Sequence, residues 1–174
     1  MAERCGFGVV DGNIVQYDVE IAWDKGFDRE AKKHYIEELH SKLVDGMKLE
    51  VTSASQNDGR KLSPFYIYAE NGMNLEDFWK EANRPDYIQY YSYTWPQSMR
   101  HICFQHYYCI HATHLIDIIR KADIFTDVFY KPVENGLTQA KGCAILKALD
   151  STNDFDILKD PVDFTVWYMY HVRR

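Results

Sequence analysis

The sequence has no apolar stretch approaching the roughly 20 residues that a membrane-spanning helix requires. Residues Met1 to Val10 also lack the apolar run of a secretory signal peptide. We therefore expect a cytoplasmic protein with no membrane partner.

Paired cysteines are missing as well. The four cysteines include no Cys-x-x-Cys pair, and most lie inside apolar stretches: Cys5, Cys103, Cys109 and Cys143. This pattern argues against a disulfide scaffold and indicates small buried hydrophobic side chains.

A metal site is not favoured either, although histidines and cysteines are close together between residues 101 and 114. His101, His106 and His111 are spaced by five residues and drift around a helix, whereas His111 and His114 can share a face. Four ligands do not converge from this segment, and packed or solvent-facing imidazoles are the expectation. We predict no metal and no cofactor.

Positive charge is in deficit, with 20 Lys and Arg against 26 Asp and Glu, and the net charge is -6. A global field of this sign repels phosphate backbones, so non-specific nucleic-acid binding is not expected. Any contact with nucleic acid must be local.

Large apolar groups are abundant: 46% of the 174 residues are hydrophobic and 15% are aromatic. This length and composition predict one autonomously folding domain over residues 1–174. The patterns described below predict an α+β class, with a small mixed or antiparallel sheet packed against several helices.

The first third of the chain predicts a hairpin followed by a helix. Runs at Phe7 to Val10 and Ile14 to Trp23 flank the turn sequence Asp11-Gly12-Asn13. Asp28 can cap an amphipathic helix that reaches about Val44.

Further elements are predicted from periodicity and turn residues. We expect strands at Met47 to Ser53, Leu62 to Tyr68, Phe125 to Tyr130 and Phe164 to Val172, and helices at Leu75 to Ala82 and Leu137 to Leu149. Residues Ser98 to Lys121 are expected to form one helix or two. The segment Tyr87 to Trp95 is aromatic and irregular. It favours loop packing over a stacking surface for a base.

Two carboxylates are candidates for chemistry. Glu76 lies one turn inside a helix that follows a tight turn, where its side chain can reach the rim of a pocket or remain solvated. Asp127 alternates with Phe125 and Phe129 on one face of a predicted strand. It is either near a sheet edge or placed in an apolar site that raises its pKa.

The segment from Arg60 to Phe65, followed by Gly72, Asn74-Leu75-Glu76 and Trp79, resembles the NADAR (YbiA-like) superfamily of N-glycosidases. The family pattern is Leu-Ser-Asn-Phe, a hairpin glycine, and Ser-x-Glu before an aromatic position. Order and spacing agree.

A later block resembles the same superfamily, with an acid ending a strand at Asp123 to Asp127 and a small-residue helix from Leu137 to Gly142. The chain is also similar to a branch associated with bacterial defence and toxin–antitoxin loci. The matching segments cover roughly a third of the chain. The family lysine seven positions after the acid is Asn83 here, and the asparagine of Leu-Ser-Asn-Phe is Pro64.

The resemblance implies a NADAR-like enzyme that cleaves an N-glycosidic bond without a metal, in riboflavin-pathway intermediates or in ADP-ribosylated bases on nucleic acid. Glu76 and Asp127 are then the catalytic acids, facing one shared cavity. Ligand-binding residues are expected at Arg60, Lys61, Ser63, Phe65, Trp79, Arg100 and Gln139.

The partner would be a nucleotide or ADP-ribosyl ligand, including an ADP-ribosylated nucleic acid. The alternative is a catalytically inactive relative that binds a nucleotide or a partner protein, as an inhibitor or immunity factor in phage–bacteria conflict. The absent family lysine favours this alternative. A third possibility is chance similarity on a different α+β fold.

Overall fold

The fold is seen in a computed structural model that describes residues 1–55, 58–69, 72–77, 100–132 and 137–172. Three features named above lie outside these residues: Trp79, Asn83 and the segment Tyr87 to Trp95. Among the helices of the described part, none has the length and apolar character needed to cross a membrane.

A four-stranded mixed sheet organises the chain, and the predicted α+β class is confirmed. Its strands are β1 (Ala2–Val10), β2 (Asn13–Ile21), β3 (Lys48–Glu50) and β4 (Ile124–Thr126), in the spatial order β2-β1-β4-β3. β1 pairs antiparallel with β2 and β4, whereas β3 pairs parallel with β4. The short strand β3 therefore forms one edge.

The predicted hairpin is confirmed. Asp11 and Gly12 join β1 to β2 with positive φ angles of 52° and 77°. Two left-handed residues form the tight turn whose twist matches that of the strands.

Helix α1 (Arg29–Lys42) covers one face of the sheet, as the sequence predicts. It begins at Asp28, whose side chain accepts a hydrogen bond from the backbone N of Ala31 at 2.8 Å. Its buried residues pack with residues of β2 and β4 in one apolar cluster, which includes Ile21, Ala31, Tyr35, Leu39, Leu43, Ile124 and Val128.

The other face carries the larger core and, among the described residues, four helices: α3 (Arg100–Ala112), α4 (Ile116–Arg120), α5 (Gln139–Thr152) and α6 (Pro161–His171). Two short 3-10 helices, Thr113–Leu115 and Phe155–Lys159, join them. Over the described residues, the predicted helices at 98–121 and 137–149 are confirmed in type.

The predicted final strand, Phe164 to Val172, is wrong, because residues 164–171 belong to helix α6 and only Val172 is extended. Asp160 caps this helix by accepting hydrogen bonds from the backbone N of Val162 and of Asp163, and Pro161 occupies its first turn. Proline suits that position because its missing N–H has no partner there in any helix. The buried side chains Phe164, Trp167 and Tyr168 follow helical spacing.

The predicted strand Leu62 to Tyr68 is also wrong, because this segment folds as successive turns. The backbone N of Tyr66 bonds to the carbonyl of Ser63 at 2.9 Å. Pro64 cannot donate to a strand ladder, and its carbonyl instead accepts from the backbone N of Leu75 and of Glu76. Asn74 caps the helical turn that follows, since its side chain accepts a hydrogen bond from the backbone N of Asp77 at 2.8 Å.

Strand β4 ends at Thr126, four residues earlier than predicted. The side chain of Asp127 accepts a hydrogen bond from the backbone N of Phe129 at 3.0 Å, and the carbonyl of Asp127 accepts from the backbone N of Tyr130. Aspartate stabilises turns of this kind. The alternation of Phe125, Asp127 and Phe129 across one strand face therefore does not occur.

Close backbone packing fixes the segment after β3, where a strand was predicted to reach Ser53. Helix α2 (Asp58–Lys61) lies against Glu50, so a Cβ on Gly59 would overlap the carbonyl oxygen of Glu50. Only glycine fits at this contact.

We expect Gly59→Ala to lower the free energy of unfolding by about 3 kcal/mol or more. The added Cβ overlaps the backbone of Glu50, which moves aside less easily than a flexible side chain. Urea denaturation measures this loss. Gly12→Ala is the control: Gly12 has a φ of +77° but open space around its Cβ position, so we expect a loss of about 1 kcal/mol from backbone strain. A loss in Gly59→Ala no greater than in the control would contradict this packing.

Candidate functional site

Glu50 is the last residue of the edge strand β3, and it lies opposite Thr126 in the parallel register. Ile124 shares its face of β4 with Thr126 and packs in the cluster beneath α1. The Glu50 carboxyl group therefore lies under α1, and only 3% of the residue is exposed.

Three donors satisfy the carboxyl oxygens of Glu50. The Thr126 hydroxyl donates to Oε2 at 2.7 Å. The backbone N of Val128 donates to Oε1 at 2.6 Å, and the Thr52 hydroxyl donates to Oε1 at 3.2 Å. One carboxyl group thus joins β3, the end of β4 and the turn that follows it.

Burial raises the pKa of Glu50 well above the ordinary value for a glutamate, and the negative charge of nearby Asp127 raises it further. The hydrogen bonds from Val128, Thr126 and Thr52 oppose this shift but are the smaller influence. The physical result is a buried carboxyl that retains its proton at pH values where an exposed glutamate has lost it.

His40 extends this network from α1. Its Nε2 lies 2.7 Å from the Thr126 hydroxyl oxygen. Burial, followed by the positive charge of Lys48, lowers the pKa of His40 to about 4. The imidazole is therefore neutral near pH 7 and can carry its proton on either ring nitrogen.

Glu50 and His40 both line a cleft of about 510 Å³ between α1, β3, α2 and the turn at residues 53–55. Five cationic side chains outnumber Glu37 and the buried Glu50 along its walls: Arg29, Lys32, Lys33, Lys48 and Arg60. This excess contrasts with the net charge of -6 for the whole chain. The cleft thus carries local positive charge on a chain of net negative charge, and the buried carboxyl of Glu50 is part of its lining.

The predicted residue Asp127 lies between Thr126 and Val128, which both donate to Glu50, and is 9% exposed. Its Oδ2 accepts a hydrogen bond from the Thr138 hydroxyl at 3.1 Å, and the same hydroxyl caps α5 by accepting from the backbone N of Ala140. Asp127 therefore ties the end of β4 to the start of α5.

Among the other predicted site residues, Arg60 lines the cleft, and its Nε donates to the carbonyl of Ser55 at 3.0 Å. The neighbouring residue Lys61 is exposed, and its Nζ lies 3.5 Å from Oδ1 of Asp58. Gln139 is 8% exposed and donates to the carbonyl of Val51, directly after Glu50.

The remaining predicted residues are distributed over other elements. Ser63 is buried in the turns before residue 67, and its hydroxyl accepts from the backbone N of Phe65, which is half exposed. Glu76 lies in the helical turn at residues 75–77, and Arg100 begins α3. A cavity shared by Glu76 and Asp127 stays a prediction; the acid identified beside Asp127 is Glu50.

Sequence reasoning missed Glu50 and His40. Glu50 lies between Leu49 and Val51 in a predicted strand, which is the same signal, an acid within an apolar strand, that selected Asp127. His40 lies on the polar side of an ordinary amphipathic helix. It could not be identified, because its partner Thr126 is 86 residues away in the chain.

Two of the histidines between residues 101 and 114 bond to backbone carbonyls. The Nε2 atom of His106 lies 2.8 Å from the carbonyl oxygen of Leu158, and burial lowers the pKa of His106. His111 contacts the carbonyl of Tyr107. Within the described ranges, no three His, Cys, Asp or Glu side chains are grouped so as to hold a metal ion. The four cysteines are buried free thiols, as predicted.

In comparisons with known proteins, no family model matches this chain, and no curated protein matches it.

We expect Glu50→Gln to change how stability depends on pH. The folded state retains a proton on Glu50 that the unfolded chain releases above about pH 4.3. The contribution of Glu50 to stability is therefore complete below that pH and is lost as pH rises towards the folded pKa. Glutamine does not titrate. As pH rises across this window, the free energy of unfolding of the variant should therefore increase relative to that of the wild type by up to about 1.4 kcal/mol per pH unit.

Urea denaturation of both proteins between pH 5 and pH 8 measures this difference. His40 titrates in both proteins, so the difference between them isolates Glu50. Parallel stability curves would show that the Glu50 pKa is not raised.

Proposed function

We propose that the protein binds a phosphate-bearing N-ribosyl compound in the basic cleft and hydrolyses its N-glycosidic bond. The ligand class is a nucleotide or ADP-ribosyl group, including ADP-ribose attached to a base. The observation that carries this proposal is a cationic cleft, on an acidic chain, with the buried carboxyl of Glu50 at its base.

The cleft walls favour phosphate. Lys33 and Arg29 project from the first half of α1, and Lys48 and Arg60 lie on the elements opposite. Cations on both sides of a cleft can contact the separate phosphates of one diphosphate. The volume of about 510 Å³ falls in the usual range for small-molecule sites.

The base of the cleft favours acid catalysis. Breaking the bond between a ribose and a base leaves positive charge on the sugar, and the departing nitrogen requires a proton. A carboxyl that keeps its proton near pH 7 can supply it, and water then adds to the anomeric carbon. Glu50 has this property because it is buried beside Asp127.

This proposal assigns the acid role to Glu50 in place of Glu76. The position of Asp127 is retained, since its charge helps to keep Glu50 protonated. A carboxyl acid also makes the family lysine, replaced by Asn83, unnecessary as a proton donor.

We expect Arg60→Ala to weaken ADP-ribose binding about tenfold, because a charge-assisted hydrogen bond to phosphate contributes about 1.5 kcal/mol or more. Isothermal titration calorimetry at low salt measures the change. Lys61→Ala is the matched control, since it removes the same charge one residue away, outside the cleft lining. Equal losses in the two variants would show that the cleft is not the binding site.

We expect Glu50→Gln to bind ADP-ribose with nearly unchanged affinity and to lose turnover of an ADP-ribosylated oligonucleotide or a riboflavin-pathway intermediate. Removing a general acid lowers the rate by about 10²–10⁴. Released ribosyl product is measured by chromatography, with Glu76→Gln as the comparison.

Loss of turnover in Glu76→Gln but not in Glu50→Gln would return the acid role to Glu76. Binding of ADP-ribose without turnover of either substrate by the wild type would identify a non-catalytic nucleotide-binding protein.

A further inference from the structure

Three side chains from different parts of the chain form a continuous row of hydrogen bonds beneath α1. The ring of His40 lies 2.7 Å from the Thr126 hydroxyl, and that hydroxyl lies 2.7 Å from Oε2 of Glu50. Thr126 is fully buried, so water does not interrupt the row at its centre. The other ring nitrogen of His40, Nδ1, has no partner among the described residues.

We propose that His40, Thr126 and Glu50 form a proton relay that connects the buried carboxyl with the cleft. The relay itself does not depend on the proposed function, whereas the role of the relay in cleaving a glycosidic bond rests on that function. His40 is the member that meets the ligand, and Thr126 acts through its two neighbours.

The hydroxyl of Thr126 makes the relay possible because it donates one hydrogen bond while accepting another. When Glu50 is ionised, the Thr126 hydroxyl donates to Oε2, and the His40 Nε2–H donates to the Thr126 oxygen. The Nδ1 atom of His40 then carries a lone pair.

When Glu50 is protonated, every bond in the row reverses. Its Oε1 already accepts from the backbone N of Val128 and the hydroxyl of Thr52, so the acidic proton lies on Oε2. Oε2–H donates to the Thr126 oxygen, and the Thr126 hydroxyl donates to His40 Nε2. His40 then carries its proton on Nδ1.

Conversion from the first state to the second moves one proton from the cleft to Glu50. The His40 imidazole is neutral in both states. In hydrolysis, the C–N bond breaks and its electron pair goes to the nitrogen of the base. That nitrogen takes the proton from His40 Nδ1, and Glu50 becomes ionised. Water adds to the anomeric carbon and returns one proton through His40 to Glu50, so that the sum is substrate plus water giving free sugar and free base.

The charged groups around the relay favour neutral His40 and protonated Glu50. Lys48 on β3 disfavours a charged imidazole, and Asp127 disfavours an ionised Glu50. Arg60 on α2, with Lys33 and Glu37 on α1, line the same cleft. Thr126 joins His40 to Glu50 by hydrogen bonds, so the relay is the part of the cleft that can carry a proton to the buried carboxyl.

The direct test is the tautomer of His40, measured from the ¹⁵N chemical shifts of its two ring nitrogens as pH is raised. We expect the Nδ1–H form at neutral pH, changing to the Nε2–H form as Glu50 ionises. In Glu50→Gln, the amide oxygen replaces Oε1 and the NH2 group donates to Thr126. His40 should then remain in the Nδ1–H form throughout.

Thr126→Val removes the hydroxyl, and Thr126→Ser restores it. We expect the valine variant to lose the pH-dependent tautomer change and the serine variant to keep it. If the valine variant does not fold, the relay is still tested by the His40 tautomer in the wild type, in Glu50→Gln and in Thr126→Ser. A His40 tautomer that is insensitive to pH in the wild type, or Nε2–H in Glu50→Gln, would overturn the relay.

Turnover gives the second readout. We expect Thr126→Val to lower kcat by about 100-fold and Thr126→Ser to recover most of it. A tautomer change without any turnover supports the relay and rejects the glycosidase. Turnover that survives Thr126→Val unchanged overturns the catalytic role of the relay.

Discussion

The burial of one carboxyl group is the constraint on which this structure depends. Glu50 ends the edge strand β3 with both oxygens hydrogen-bonded, to hydroxyls of Thr52 and Thr126 and to the backbone N of Val128. An ionised carboxylate at this depth, next to a second acid, is costly, and retaining the proton avoids that cost. The same hydrogen bonds hold the turn after β4 against β3. One side chain therefore fixes local structure and creates a buried acid.

The surrounding fold maintains this arrangement by close packing on both sides. Above Glu50, α1 is held to the sheet by a buried apolar cluster that includes Tyr35 and Leu39, which places His40 over Thr126. Beside it, Gly59 allows α2 to approach the Glu50 backbone and brings Arg60 to the cleft wall. Five cationic side chains line the cleft, so an acidic protein carries positive charge at this place. We propose that phosphate binds along the walls of this cleft and that a proton is transferred through Glu50.

The elements that the sequence predicts correctly are those governed by local chemistry. The Asp11-Gly12 turn and the Asp28 cap each act within a few residues, and both are present. The final helix was predicted as a strand because its aromatic and β-branched residues outweighed the signal of Asp160 and Pro161 at its start. The site depends instead on contacts between residues far apart in the chain. Glu50 meets Thr126 and Val128 across 76 and 78 residues, and a parallel pairing of that kind leaves no mark on local periodicity.

The central claim is that Glu50 retains its proton because it is buried beside Asp127. Measuring the ¹³C chemical shift of the Glu50 side-chain carboxyl against pH, in the wild type and in Asp127→Asn, tests it most directly. The account predicts a titration well above that of an exposed glutamate in the wild type, and a lower but still raised midpoint once the neighbouring charge is removed. A Glu50 that titrates near the ordinary glutamate value in the wild type would contradict it.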